Sequence, residues 1–188
     1  RITSNEVFNF LFIGRLLKDK GIHEYIEAAR DLKEKYPKAI FNILGPFYKN
    51  NSTGIQEETL KSWIDEDVIK YLGQTDKVEE VMSIADCVVL PSYREGLSKV
   101  LIEASSMGIP IVTTNVSGCR DVVLDAETGF LCKVRDSNDL AVQMEKIISL
   151  PADELKIIGE NGRKRAVNIF DEKIIINHYK EAIYSLIK

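Results

Sequence analysis

Histidine is nearly missing from this sequence: His23 and His178 are the only two in 188 residues. They stand far apart, on stretches with helical patterning, so neither a histidine metal site nor a serine-nucleophile triad is indicated. Also absent are the Gly-x-Ser-x-Gly elbow, the Gly-x4-Gly-Lys-Ser/Thr loop and the Gly-x-Gly-x-x-Gly fingerprint. That counts against an α/β-hydrolase, an ATPase and a dinucleotide enzyme. Cysteine is scarce. Cys87, Cys119 and Cys132 share no metal-ligand spacing, Cys87 adjoins an apolar run as a small core residue would, and the set fits a reducing, cytoplasmic setting. No apolar run approaches the ~20 residues that span a bilayer. Nor is there an excess of basic charge: 25 Lys and Arg against 29 Asp and Glu leave a net charge of −4. A general nucleic-acid binder needs a basic surface, so the charge argues against that class but is compatible with a small basic pocket.

What is present is an alternation of two periods. Apolar runs of strand length occupy 7–13, 39–44, 68–72, 87–90, 111–114 and 129–132. Between the first two, Ile22, Ile26, Ala29, Leu32 and Tyr36 recur at helical spacing, and Pro37 ends the pattern. Further helices are predicted over 56–64, over 77–84 with a capping-box-like Asp76 and Glu79, over 97–107, and over 138–150. Past Pro151 the pattern is helical to the end. Such alternation predicts an α/β fold, a parallel sheet of about six strands with helices on both faces, followed by C-terminal helices. No internal repeat or linker divides the chain, so 1–188 reads as one domain. The polar loop 46–54 is the longest and the candidate for mobility. In an open parallel sheet, ligands sit beyond the carboxyl ends of the strands, so the turns after Ile13, Leu44, Leu72, Leu90 and Thr114 share one rim.

Two of those turns carry the chemistry. Ser92-Tyr93-Arg94-Glu95-Gly96-Leu97-Ser98 follows the fourth strand and leads into a helix that carries Glu103. Free N–H groups at a helix start favour an anion, and the two acids can accept hydrogen bonds from hydroxyls. Gly14-Arg15 follows the first strand, with Lys20-Gly21 at the start of the next helix. Glycine permits close approach, Arg forks onto phosphate oxygens, and Lys adds a compact charge. A ligand that joins a diphosphate to sugar hydroxyls suits this set, which points to a nucleotide-sugar. Any one of these residues alone would read as a solvated loop charge or a helix-surface acid.

Together they resemble a known family, the retaining glycosyltransferases of the GT-B fold known as glycosyl transferases group 1. The likeness runs through Gly14-Arg15-Leu16 and Lys20-Gly21, Tyr71-Leu72-Gly73, the segment 85–92, and Glu95-x7-Glu103. It continues in Gly108-Ile109-Pro110 and Thr128-Gly129-Phe130. Two departures stand out: Pro46-Phe47 follows Gly45 where the family often has a second glycine, and 117–121 resembles a variant found among bacterial surface-polysaccharide transferases. The resemblance implies a Rossmann-like domain that is one half of a GT-B fold, the C-terminal, donor-binding half, with the N-terminal acceptor domain outside this chain. It implies that Arg15 and Lys20 grip the donor diphosphate and that Glu95 contacts the transferred sugar. Glu103 would hold the ribose, backbone groups of Gly14, Gly96, Leu97 and Ser98 would meet the donor, and main chain near Leu72 would pair with the base.

The activity implied is transfer of a hexose or N-acetylhexosamine from a nucleotide-sugar, most often a UDP-sugar, without a metal or other cofactor. The acceptor would be carbohydrate or lipid-linked, with peripheral membrane association through the missing half. Alternatives on the same fold are a sugar-nucleotide epimerase, a phosphorylase-like enzyme and a non-catalytic nucleotide-binding module. The last helix, within 171–188, is expected to pack on the missing domain and so to expose apolar surface here or to self-associate.

Overall fold

The computed structural model describes residues 7–48 and 51–187. Six strands, β1 (Phe8–Ile13), β2 (Ala39–Leu44), β3 (Lys70–Tyr71), β4 (Cys87–Leu90), β5 (Ile111–Thr114) and β6 (Gly129–Cys132), form one sheet in the order β3-β2-β1-β4-β5-β6. Every pairing is parallel. The central strands are apolar on both faces because helices cover both: Val88, Val89, Ile111 and Val112 are fully buried. Among the described residues, seven α-helices occur in chain order: α1 (Ile22–Lys35), α2 (Glu57–Asp65), α3 (Val78–Met82), α4 (Lys99–Ser106), α5 (Ser137–Ser149), α6 (Ala152–Ile169) and α7 (Glu172–Ile187). α1 packs beside α5 and α4 beside α6, giving a helical layer on each side.

Alternation within β1 decides how the layers meet. Phe8, Phe10 and Phe12 share one face of the strand. Phe10 stacks on Phe41 at 5.3 Å, and Tyr25 of α1 closes over Phe12 at 5.6 Å. The hydroxyl of the fully buried Tyr25 donates to the Asn42 carbonyl at 3.1 Å, which satisfies it in place. Burial pushes that phenol well above its ordinary pKa. Each such ring contributes about 1.5–3 kcal/mol by burial. Cys87, Cys119 and Cys132 are all free and buried. Desolvation raises each thiol, Cys132 to about 12, so they pack as small hydrophobes.

Several boundaries differ from the sequence expectation. The third strand is only Lys70–Tyr71. Val68 and Ile69 are buried, but the Val68 N–H bonds back to the Trp63 carbonyl at 3.1 Å, so their burial belongs to the turn that leaves α2. No capping box starts α3: its N-cap is Lys77, with no side-chain cap, and the Lys77 N–H donates to Thr75 Oγ1 at 3.1 Å. α4 begins at Lys99, two residues later than predicted. Loop 46–54 falls partly on residues 49 and 50, which lie outside the described residues. Its described parts are tied to the first rim loop, through Leu16 N–H to Pro46 O at 3.1 Å and Lys18 N–H to Thr53 O at 2.7 Å. Phe47 packs edge-on to Tyr71 at 5.6 Å, and the Tyr71 hydroxyl donates to the Gly45 carbonyl at 2.9 Å, which gives the Pro46-Phe47 departure a local packing role. Among the described residues, no helix is long and apolar enough to cross a membrane.

Candidate functional site

The loops after β1 and β4 are locked together by main chain. The Tyr93 N–H donates to the Asp19 carbonyl at 2.8 Å. Gly21, with φ of 73°, lies so close to the other loop that a Cβ on it would stand 2.0 Å from the Pro91 carbonyl oxygen. Only glycine meets both demands there. From β5, the Thr114 hydroxyl donates to the Ser92 carbonyl, and Gly118, with φ of 77°, seats itself against the backbone oxygens of Glu95 and Gly96.

These contacts bring the predicted residues into one place. Lys20 Nζ lies 2.5 Å from Glu95 Oε1, with side-chain exposures of 19% and 13%. The Ser92 hydroxyl donates to the same oxygen at 2.7 Å. Arg15, Lys20, Glu95 and Gly96 line a hollow of about 710 Å³ together with Tyr93 and Arg135. Arg15 lies 5.2 Å over the ring of Tyr48 and makes no ion pair among the described residues. The Gly14 N–H is used by the sheet, donating to the Leu44 carbonyl at 3.0 Å, and Gly14 does not line the hollow.

Not every expected residue joins them. Glu103 lies on α4 beside a separate hollow of about 490 Å³, with Thr75, Asp76 and Glu79, and stands 3.7 Å from Lys99. The Ser98 N–H is engaged, donating to the Gly118 carbonyl at 3.2 Å, whereas the N–H groups of Gly96 and Leu97 make no hydrogen bond among the described residues. Leu97 is exposed. Leu72 is exposed at the end of β3 and lines neither hollow, while its N–H continues the ladder to Ile43 O at 2.8 Å.

Sequence reasoning overlooked Tyr93, Glu24 and Arg135. The Tyr93 hydroxyl donates to Glu24 Oε1 at 2.6 Å, and Glu24 Oε2 is buried without a hydrogen-bond partner. Burial and the neighbouring Glu24 carboxylate raise the Tyr93 phenol, so it stays a donor. Arg135, in the loop after β6, holds its guanidinium 4.7 Å over the Tyr93 ring. A tyrosine inside the Ser92–Ser98 segment was a signal that could have been followed; Arg135 offered none, since its spacing to the other residues has no pattern.

Known proteins share this architecture. The family model for glycosyl transferases group 1 matches residues 3–165. The chain is 34% identical over 182 residues to the capsular polysaccharide biosynthesis glycosyltransferase CapM of Staphylococcus aureus, covering 91% of this chain and 44% of that protein. It is 32% identical over 180 residues to the N,N'-diacetylbacillosaminyl-diphospho-undecaprenol alpha-1,3-N-acetylgalactosaminyltransferase of Campylobacter jejuni, covering 95% and 45%. Among solved structures, sucrose-phosphate synthase from Thermosynechococcus elongatus superposes with a TM-score of 0.82 at 28% identity, over 98% of this chain and 46% of that one. The chain thus spans less than half the length of the curated relatives it matches. On the family model's match over most of its length, the chain belongs to the glycosyl transferases group 1 family.

Proposed function

We propose that this chain is the donor-binding half of a retaining glycosyltransferase that uses a nucleotide-sugar. One observation carries the reading: two cations from the β1 loop and the Glu95 turn after β4 converge on a single hollow. Arg15 and Lys20 are placed to meet a diphosphate, helped by the N–H groups of Gly96 and Leu97 and the start of α4. Glu95, with Oε1 held by Lys20 and Ser92, keeps its second oxygen for a sugar hydroxyl. Glu103 borders the neighbouring hollow, where a ribose would lie, and main chain near Leu72 would meet the base.

As the glycosidic bond to the diphosphate breaks, the sugar becomes oxocarbenium-like and negative charge grows on the leaving phosphate. Fixed cations and N–H groups that stabilise this charge contribute several kcal/mol in sites of this kind. We propose that no metal is needed, because Arg15 and Lys20 take that role. Retention follows if the acceptor attacks on the face the diphosphate leaves, with a phosphate oxygen taking the acceptor proton. Glu95 orients the sugar.

The likeness to a capsular polysaccharide transferase and to one named for a diphospho-undecaprenol substrate supports a hexose or N-acetylhexosamine donor. The same likeness supports a carbohydrate or lipid-linked acceptor in surface-polysaccharide synthesis. The relatives' additional length supports an N-terminal partner domain of the same protein. α7 offers that domain a surface: its described side chains from 176 to 186 are all exposed, and Ile176, Tyr179, Ile183 and Leu186 recur at helical spacing. Saturation-transfer NMR with UDP-, GDP- and ADP-sugars tests the donor class, with one nucleotide expected to bind. Failure of all three to bind the full-length protein would remove the reading. Product analysis then separates transfer from epimerisation.

A further inference from the structure

Arg135 is distinctive on three independent counts. It holds a φ of 58°, left-handed backbone that a residue with a Cβ adopts only rarely. Its guanidinium lies over Tyr93, whose hydroxyl donates to the Glu24 carboxylate and whose main-chain N–H donates to the Asp19 carbonyl. It lines the hollow of Arg15, Lys20 and Glu95, yet makes no ion pair among the described residues. A planar five-donor fork fixed on a ring and facing a cavity is suited to receive an oxyanion.

Strand order says which part of a ligand it would meet. Leu72 at β3 and the Arg135 loop after β6 mark the two ends of the rim, with Arg15 and Lys20 after β1 and Glu95 after β4 between them. If base, diphosphate and sugar follow that order, as the donor-binding reading has it, Arg135 faces what lies beyond the diphosphate. We propose that Arg135 is a specificity residue that binds a second oxyanion, a carboxylate or phosphate, at the sugar end of the site. This rests on the nucleotide-sugar reading and extends it. The oxyanion can arrive as the carboxylate of a uronic-acid donor or as a phosphate carried by the acceptor.

Arg135→Gly is the informative variant, because glycine accepts a φ of 58° and the loop keeps its path. With the full-length protein, UDP, UDP-glucose and UDP-glucuronate are titrated first, then inorganic phosphate into UDP-saturated protein. A preference for UDP-glucuronate over UDP-glucose of about tenfold, abolished by Arg135→Gly with UDP affinity unchanged, supports the proposal with the donor as source. Equal donor affinities, with phosphate binding that weakens about tenfold in the variant, support it with the acceptor as source. If Arg135→Gly weakens UDP itself as Lys20→Ala does, Arg135 belongs to the diphosphate grip and the proposal is overturned. It is equally overturned if none of the four ligands responds to the variant. Should wild-type protein fail to bind UDP, the donor-binding reading falls first, and that titration identifies it as the cause.

Discussion

Lys20 Nζ and Glu95 Oε1 stand 2.5 Å apart although the two residues are 75 positions apart in sequence. Each is largely shielded from solvent, so truncating one strands the other's charge. Lys20→Ala or Glu95→Ala alone is expected to cost about 1–3 kcal/mol of stability, and the double variant less than their sum. Urea denaturation measures this cycle. Lys20→Ala should also weaken UDP binding tenfold or more, while His23→Ala changes it less than about twofold.

Gly21→Ala should be strongly disruptive on the rim. A positive φ costs a residue with a Cβ about 1–2 kcal/mol, and the 2.0 Å approach to the Pro91 carbonyl adds about 1–3 kcal/mol of overpacking. Gly73 has the same kind of backbone, φ of 75°, but nothing lies within 4 Å of its added Cβ. Gly73→Ala should therefore show the backbone part alone. Paired thermal melts of the two variants give the difference directly.

His23 makes stability depend on pH. Burial lowers its pKa in the folded chain, against partial opposition from Glu24, and its ring lies edge-on to Trp63 at 5.4 Å. Between the lowered folded value and the ordinary value near 6.5, the unfolded chain binds more protons. This contribution is therefore fully present above about pH 6.5 and is lost as pH falls through the folded value. Urea midpoints at pH 7.5 and 5.5 should fall further for wild type than for His23→Asn.

Much of this was legible in the sequence, and the reasons are local. A buried parallel strand needs an unbroken apolar run and its crossover helix needs a 3.6-residue stripe, so 8–13, 39–44, 87–90 and the α1 stripe identify themselves. Arg15, Lys20 and Glu95 were legible because strand ends in such a sheet share a rim. Residues 68–72 misled because apolar side chains are buried by a turn as readily as by a strand. Glu103 is expected at the ribose rather than beside Glu95, and helix pitch carries it past the Glu95 turn to the neighbouring hollow. Arg135 was illegible because the closure of β6 against β5, and no spacing, brings it to Tyr93.

The apolar stripe of α7 should make this chain associate when the proposed partner domain is not there to cover it. Ile176, Tyr179, Ile183 and Leu186 are 44–86% exposed, more than a monomer leaves uncovered in one continuous stripe without consequence. Light scattering should show concentration-dependent self-association that Tyr179→Ser with Ile183→Ser reduces. Hydrogen exchange should find α7 far less protected than β1 and β4. A monomer with α7 as protected as those strands would contradict the assignment.

If Arg15 and Lys20 stabilise the leaving phosphate as proposed, transfer by the full-length protein should survive EDTA with its rate within about twofold. Loss of turnover on chelation, restored by one added metal ion, would overturn the metal-independent mechanism.

The Glu95 turn is clasped on both flanks by main chain, the Asp19 carbonyl on one side and Gly118 on the other. Arg94, which lines the hollow, and the exposed Leu97 take no part in that clasp. Scaffold and surface chemistry are thus divided within seven consecutive residues. Substitutions at these two positions can diversify what the turn accepts while the hinge of backbone beneath it keeps its shape, which makes the pair a natural place for selectivity to drift or to be redesigned.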